Sequence, residues 1–63
     1  MLTKTEKIIL LQAVQNGANP ETAEAIYLSY RAGEPIRPNA PQWEQDLWRE
    51  AQERKQYHLH QTG

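Results

Sequence analysis

The stretch IILLQAVQNGANPE at residues 8–21 holds an apolar run, a helix stop and a helix start in close succession. Before it, Thr3 and Glu6 have the three-residue spacing of a capping box, in which each side chain binds the other residue's backbone amide. After the apolar run, Gly17 can adopt the left-handed conformation that follows a helix C-cap. The pattern therefore predicts a first helix over about residues 3–16.

A second helix is predicted directly after a short turn. Asn19 is a favourable N-cap, and Pro20 suits the first helical position because its missing amide hydrogen is not needed there. Gly33 provides the next stop, so the second helix should span about residues 20–32. Because the connection is short, we expect the two helices to form a hairpin.

A proline-rich segment separates this hairpin from a third helix. Prolines occur at every third position from 35 to 41, which is typical of an extended, polyproline-like backbone. We therefore assign residues 33–39 to a connector and residues 40–57 to a third helix, with a frayed tail over residues 58–63. The predicted architecture is all-α: one small domain made of a helical hairpin plus a third helix after the connector.

Four consecutive apolar residues point in different directions around the first helix. Successive side chains turn by ~100°, so Ile9 and Leu10 can share a core face while Ile8 and Leu11 fall outside it. A helix that covers one small core needs only one apolar stripe. The second patch is either covered by the third helix or used in an intermolecular contact, and we favour the contact.

The composition limits how so small a chain can be stabilised. Domains of this size often depend on disulfides, metals or oligomerisation. The 63 residues include no cysteine, which excludes disulfides and thiolate zinc sites, so we expect a homodimer. The apolar runs are too short for a bilayer span of ~20 residues or for the core of a signal peptide. We therefore expect a cytoplasmic protein with no membrane association.

The sequence offers little that could carry chemistry. No serine or threonine has a histidine and an acid at plausible spacing, and the carboxylates are expected to lie on helix surfaces. His58 and His60 would point ~200° apart on a helix, so they could not share one metal ion there. We predict no enzymatic activity, no catalytic residues, no metal and no cofactor.

The aromatic residues favour a role in protein binding. The chain has three tyrosines and two tryptophans but no phenylalanine, and Tyr and Trp suit surfaces that are partly wet. We predict a small non-enzymatic interaction module, a regulator or inhibitor that binds and occludes a larger protein. The residues predicted for the protein contact or the dimer seam are Ile8, Leu11, Tyr27, Tyr30, Arg31 and Trp48.

The alternative is a DNA-binding transcriptional regulator. Residues 12–31 resemble a helix-turn-helix in its most generic features: a helix, a turn with glycine and a second helix. The helix that would enter the major groove carries Glu21 and Glu24 near its leading end, and the net charge is −1, so phosphate contact is disfavoured. The residues that could contact nucleic acid in this alternative are Lys4, Lys7, Asn19, Thr22, Arg31 and Arg37.

Overall fold

Three α-helices form the domain, which confirms the predicted all-α architecture. In the computed structural model, α1 spans Lys4–Gln15, α2 spans Pro20–Arg31 and α3 spans Gln42–Thr62. The structure describes the backbone of residues 2–62 and the side chains of residues 2–55.

The start of α1 lies beside the end of α2. Glu6 in the first turn of α1 contacts Tyr27 and Arg31 in the last two turns of α2, so the two helices run antiparallel as a hairpin. Glu44 in the first turn of α3 contacts Tyr30 of α2. Both α1 and α3 therefore begin at the same end of α2.

Both helices of the hairpin begin at their predicted caps. The Thr3 amide donates to Glu6 Oε1 at 2.8 Å, and the Glu6 amide donates to Thr3 Oγ1 at 3.1 Å, which completes the capping box. Asn19 Oδ1 accepts from the amides of Glu21 at 3.0 Å and Thr22 at 3.2 Å. These bonds give partners to amides that the first turn of a helix leaves unpaired.

The same two helices end at the predicted glycines. Gly17 has φ 106° and Gly33 has φ 115°, in the left-handed region that glycine adopts without a steric penalty. After α1, the Ala18 amide donates to the Ala13 carbonyl at 3.0 Å, the six-residue bond of a Schellman motif, and an equivalent bond follows Gly33. The helix ends are thus determined by bonds within a few residues of each stop.

The third helix differs in its limits from the sequence prediction. It begins at Gln42 rather than at residue 40, and the Gln42 side-chain amide donates to Asp46 Oδ1 at 3.1 Å. The Gln45 side-chain amide donates to the Ala40 carbonyl at 2.9 Å and so ties the connector to the first turn. The helical backbone continues to Thr62, beyond the predicted end at residue 57.

The core is built from alanines, two leucines and two tyrosines. Leu47 and Tyr27 are among its largest fully buried side chains, while Trp43 and Trp48 are half-buried and pack against its edge. Each helix contributes residues three or four positions apart, which lie on one helical face. The buried cluster consists of Leu10, Ala13, Ala18, Ala23, Tyr27, Tyr30, Leu47 and Ala51.

The third helix packs on only one side of α1. Ile9 and Trp43 line the groove between α1 and α3. Ile8 and Leu11 stay 53% and 56% exposed. Within the described side chains, therefore, α3 does not cover the second apolar patch of α1, and the first of the two sequence-based alternatives is wrong.

Candidate interaction surface

Ile8 and Leu11 form an apolar surface on the outer side of α1, which we call the outer α1 face. They are the large hydrophobic side chains that the described part of the domain leaves exposed. They are three positions apart on one helix, so their side chains are neighbours. Both residues were predicted for a contact surface, and the fold leaves both accessible.

A groove of about 330 Å³ lies beside Leu11, between α1 and the first turns of α2. We call it the Leu11 groove. Most of its lining is apolar, so a hydrophobic side chain from a partner would leave water on entering it. The apolar lining residues are Leu2, Leu10, Leu11, Val14 and Pro20.

Two charged residues of opposite sign stand at the Leu11 groove. Lys7 comes from α1 and Glu24 from α2. Both are exposed, and among the described side chains neither forms an ion pair within the chain. The arginines behave differently, because each is paired with a carboxylate of the same chain: Arg31 with Glu6, Arg37 with Glu44, Arg49 with Asp46, and Arg54 with Glu50.

The two tyrosines predicted for the contact surface lie inside the domain. Tyr27 is 0% exposed, and its hydroxyl donates to Glu6 Oε2 at 2.5 Å. Tyr30 is also buried, and its hydroxyl donates to Glu44 Oε2 at 2.5 Å. This corrects the expectation that they project outward, since a buried phenol with a satisfied hydroxyl offers no anchor to a partner.

Glu6 is a buried carboxylate, and both of its oxygens accept hydrogen bonds. Oε1 accepts from the Thr3 amide, and Oε2 accepts from Tyr27 and, at 2.9 Å, from Arg31. Burial by itself raises the pKa of this carboxyl, but the Thr3 amide, the Tyr27 hydroxyl and Arg31 together outweigh it and lower the pKa to about 2. Burial and the ionised Glu6 in turn raise the pKa of Tyr27 well above its usual value.

Glu44 repeats this arrangement at the start of α3. Arg37 in the connector donates through Nε to Oε2 at 2.8 Å and through Nη2 to Oε1 at 2.5 Å, a bidentate pair. The bonds from Arg37, supported by Tyr30, overcome the effect of burial and hold the pKa of Glu44 below its usual range. Burial and the Glu44 carboxylate raise the pKa of Tyr30. The connector is therefore fastened to the core through Arg37.

These buried carboxylates are the features that sequence reasoning missed. Both glutamates were expected on helix surfaces, yet Glu6 is 2% and Glu44 is 0% exposed. A signal was available in the spacing. Glu6 precedes Leu10 by four positions, and Glu44 precedes Leu47 by three, so each glutamate continues a core stripe by one turn.

The remaining predicted contact residues lie at the edge of the core. Arg31 is partly buried, with its guanidinium on Glu6 Oε2. Trp48 is half-buried and packs against the buried cluster. The fold therefore brings together Ile8 and Leu11 on one surface, but it buries Tyr27 and Tyr30 in the core and pairs the partly buried Arg31 with Glu6.

The residues predicted to contact nucleic acid have different roles in the fold. Lys4, Lys7 and Thr22 are exposed. The Asn19 side chain is occupied by the cap of α2. The other members, Arg31 and Arg37, are held by buried carboxylates. The leading end of α2 presents Glu21 and Glu24, both exposed, so the helix that would enter the groove carries negative charge there.

Two further properties bear on the class of site. Among the described residues, no three His, Asp or Glu side chains are grouped closely enough to hold a metal ion, and the side chains of His58 and His60 lie outside that part of the chain. None of the helices in the described part of the chain combines the length and the hydropathy that a membrane span requires.

The chain matches no protein-family model, no curated protein and no solved structure. A functional assignment therefore depends on the surface and contacts of this chain alone.

Proposed function

We propose that this domain is a small, non-enzymatic, cytoplasmic interaction module, a regulator or inhibitor that works by binding another protein through the outer α1 face and occluding it. The observation that carries the proposal is the exposure of Ile8 and Leu11, at 53% and 56%, on a domain that buries Tyr27 and Tyr30. Neighbouring apolar side chains left on the surface, beside a groove lined by further apolar residues, are a common property of protein-binding sites.

A partner that covers the outer α1 face gains free energy by removing its apolar side chains from water. Burying one large aliphatic side chain fully is worth about 1.5–3 kcal/mol, so covering two half-exposed ones contributes on the order of 2–3 kcal/mol before other contacts are counted. A free energy of this size can support the central contact of an interface, but it is too small to hold a stable complex by itself. A partner must therefore also use the Leu11 groove and the charges beside it.

The proposal includes a homodimer among the complexes that the outer α1 face forms. The surface and the groove that would accept it lie on the same molecule, which is the requirement for a symmetric contact between identical chains. The DNA-binding alternative has no comparable support, because two of its arginines are engaged internally and the leading end of α2 is acidic.

A site-specific photocrosslink tests the proposed surface. Leu11 is replaced by a photoreactive phenylalanine derivative, and the matched control carries the same replacement at Glu53, which is exposed on α3. After irradiation in the native cell, we expect one discrete adduct from position 11, reduced by a second change, Ile8→Gln, and no such adduct from position 53.

Equal yields of adduct from positions 11 and 53, or an adduct that Ile8→Gln leaves unchanged, would contradict the proposed contact surface. Circular dichroism of each variant establishes that the helices are intact. Because both positions are exposed, the replacements should leave the fold unaltered.

A further inference from the structure

We propose that the occupant of the Leu11 groove is a second copy of this chain, related by a twofold axis that runs along the groove, so that α1 of each copy lies over α2 of the other. In this arrangement Lys7 faces Glu24 of the partner subunit, and the contact is made twice. The inference deepens the proposed function, since it uses the same surface and assigns it a partner.

The first support is the placement of opposite charges on the two sides of the groove. Lys7 belongs to α1 and Glu24 to α2, and both line the Leu11 groove. A twofold axis along a groove exchanges its two sides, so the α1 side of one copy meets the α2 side of the other. The symmetry therefore brings each lysine over a glutamate, and like charges are kept apart.

The second support is the level of the two residues along the hairpin. The Tyr27 hydroxyl bond to Glu6 places these two residues side by side. Lys7 lies one residue after Glu6, and Glu24 lies three residues before Tyr27. Because the two helices are antiparallel, both steps lead in the same direction along the hairpin. With a rise of about 1.5 Å per residue, the two charges differ in level by roughly 3 Å. A side chain of either residue can span that offset.

The third support is that these charges are not used within the chain. Each arginine is held by a carboxylate of its own chain, whereas Lys7 and Glu24 form no ion pair among the described side chains. Exposed ion pairs contribute little affinity, about 0.2–1 kcal/mol each. Their effect is on orientation: the apolar groove and Leu11 supply the affinity, and the charges select one of the possible alignments.

Charge reversal tests the arrangement through oligomeric state. The wild type is measured by sedimentation over a concentration series, together with Lys7→Glu and Glu24→Lys. Each single variant places two like-charged pairs in its own homodimer, so we expect its dissociation constant to rise about tenfold. Mixing the two variants in equal amounts should restore dimers, because both cross-pairs in the mixed dimer are again of opposite sign.

The matched controls are Lys4→Glu and Glu53→Lys, which make the same charge changes at exposed positions outside the groove. They should leave the dissociation constant within twofold of the wild type. A wild type that sediments as a monomer at every concentration would overturn the inference, and so would a mixture of the two groove variants that stays monomeric.

The two proposals fail separately. If the chain is monomeric but the photoreactive group at position 11 still captures a protein of different mass, the outer α1 face binds a different protein and only the symmetric arrangement is wrong. If position 11 captures nothing and the chain is monomeric, both proposals fail. Adducts of twice the chain mass, lost in Lys7→Glu and in Glu24→Lys, support the symmetric arrangement.

Discussion

The Tyr27 hydroxyl donates to Oε2 of Glu6 at 2.5 Å inside the hairpin, and this bond joins residues that are 21 positions apart. The same carboxylate completes the capping box of α1 through its other oxygen. One glutamate therefore defines where a helix begins and where that helix docks on its neighbour. Loss of either contact should disturb both properties.

Removing the tyrosine hydroxyl should destabilise the domain. Tyr27→Phe leaves a buried, ionised Glu6 with one donor fewer, and a hydrogen bond to a charged group is worth about 1.5–3 kcal/mol. We expect the free energy of unfolding, measured in urea, to fall by about that amount. Tyr30→Phe should lower it by a similar amount, because either variant leaves its carboxylate with two donors, one on each oxygen. Unchanged stability in both variants would show that the remaining donors are sufficient for the buried carboxylates.

Acid should destabilise the domain through Glu6 and Glu44, because the pKa of each is lowered in the folded state. The pKa of Glu6 falls from 4.5 to about 2, so its stabilising contribution is complete above pH 4.5 and is lost as the pH falls towards 2. The shift corresponds to about 3 kcal/mol. We expect urea midpoints to decrease across this range, and Glu6→Gln to flatten the decrease. Glu53→Gln, at an exposed position, should leave the pH profile unchanged.

The stop after α1 should tolerate asparagine better than alanine. The φ of Gly17 is 106°, and a Cβ added there would meet no neighbouring atom within 4 Å. The penalty for replacing this glycine therefore arises from backbone conformation and not from a clash. Gly17→Ala should lower the free energy of unfolding by about 1–2 kcal/mol. Gly17→Asn should cost less, since asparagine enters the left-handed region more readily. Thermal unfolding followed by circular dichroism compares the two, and the reverse order would contradict this account.

Buried and exposed apolar residues of the domain should respond differently to substitution. Leu47→Ala removes a fully buried side chain and should cost about 2–5 kcal/mol. Leu11→Gln changes a side chain that is more than half exposed and should alter monomer stability by about 0.5 kcal/mol or less. Denaturation at concentrations below dimer formation gives both values. A large loss in Leu11→Gln would mean that the outer α1 face contributes to the fold itself.

The local signals in the sequence determined where the hairpin helices begin and end. The predicted caps and stops are all present: the capping box of Thr3 and Glu6, the N-cap Asn19, and the left-handed glycines Gly17 and Gly33. The reason is that caps and stops form hydrogen bonds between residues at most five positions apart, so they do not depend on what the rest of the chain does. The third helix starts two residues later than predicted because Pro41 disfavours helical backbone at Ala40, and the Pro41 carbonyl accepts the first helical bond, from the Gln45 amide at 3.0 Å.

Periodicity also separated Ile8 and Leu11 from the core face of α1, but only the fold established that α3 leaves them uncovered. The burial of Tyr27, Tyr30, Glu6 and Glu44 was likewise decided by tertiary structure. A buried carboxylate is tolerable only when donors from distant parts of the chain converge on it, as Tyr27 and Arg31 do on Glu6. The spacing of Glu6 and Glu44 places each on a core stripe, but which donors reach them is decided only when the helices are packed together.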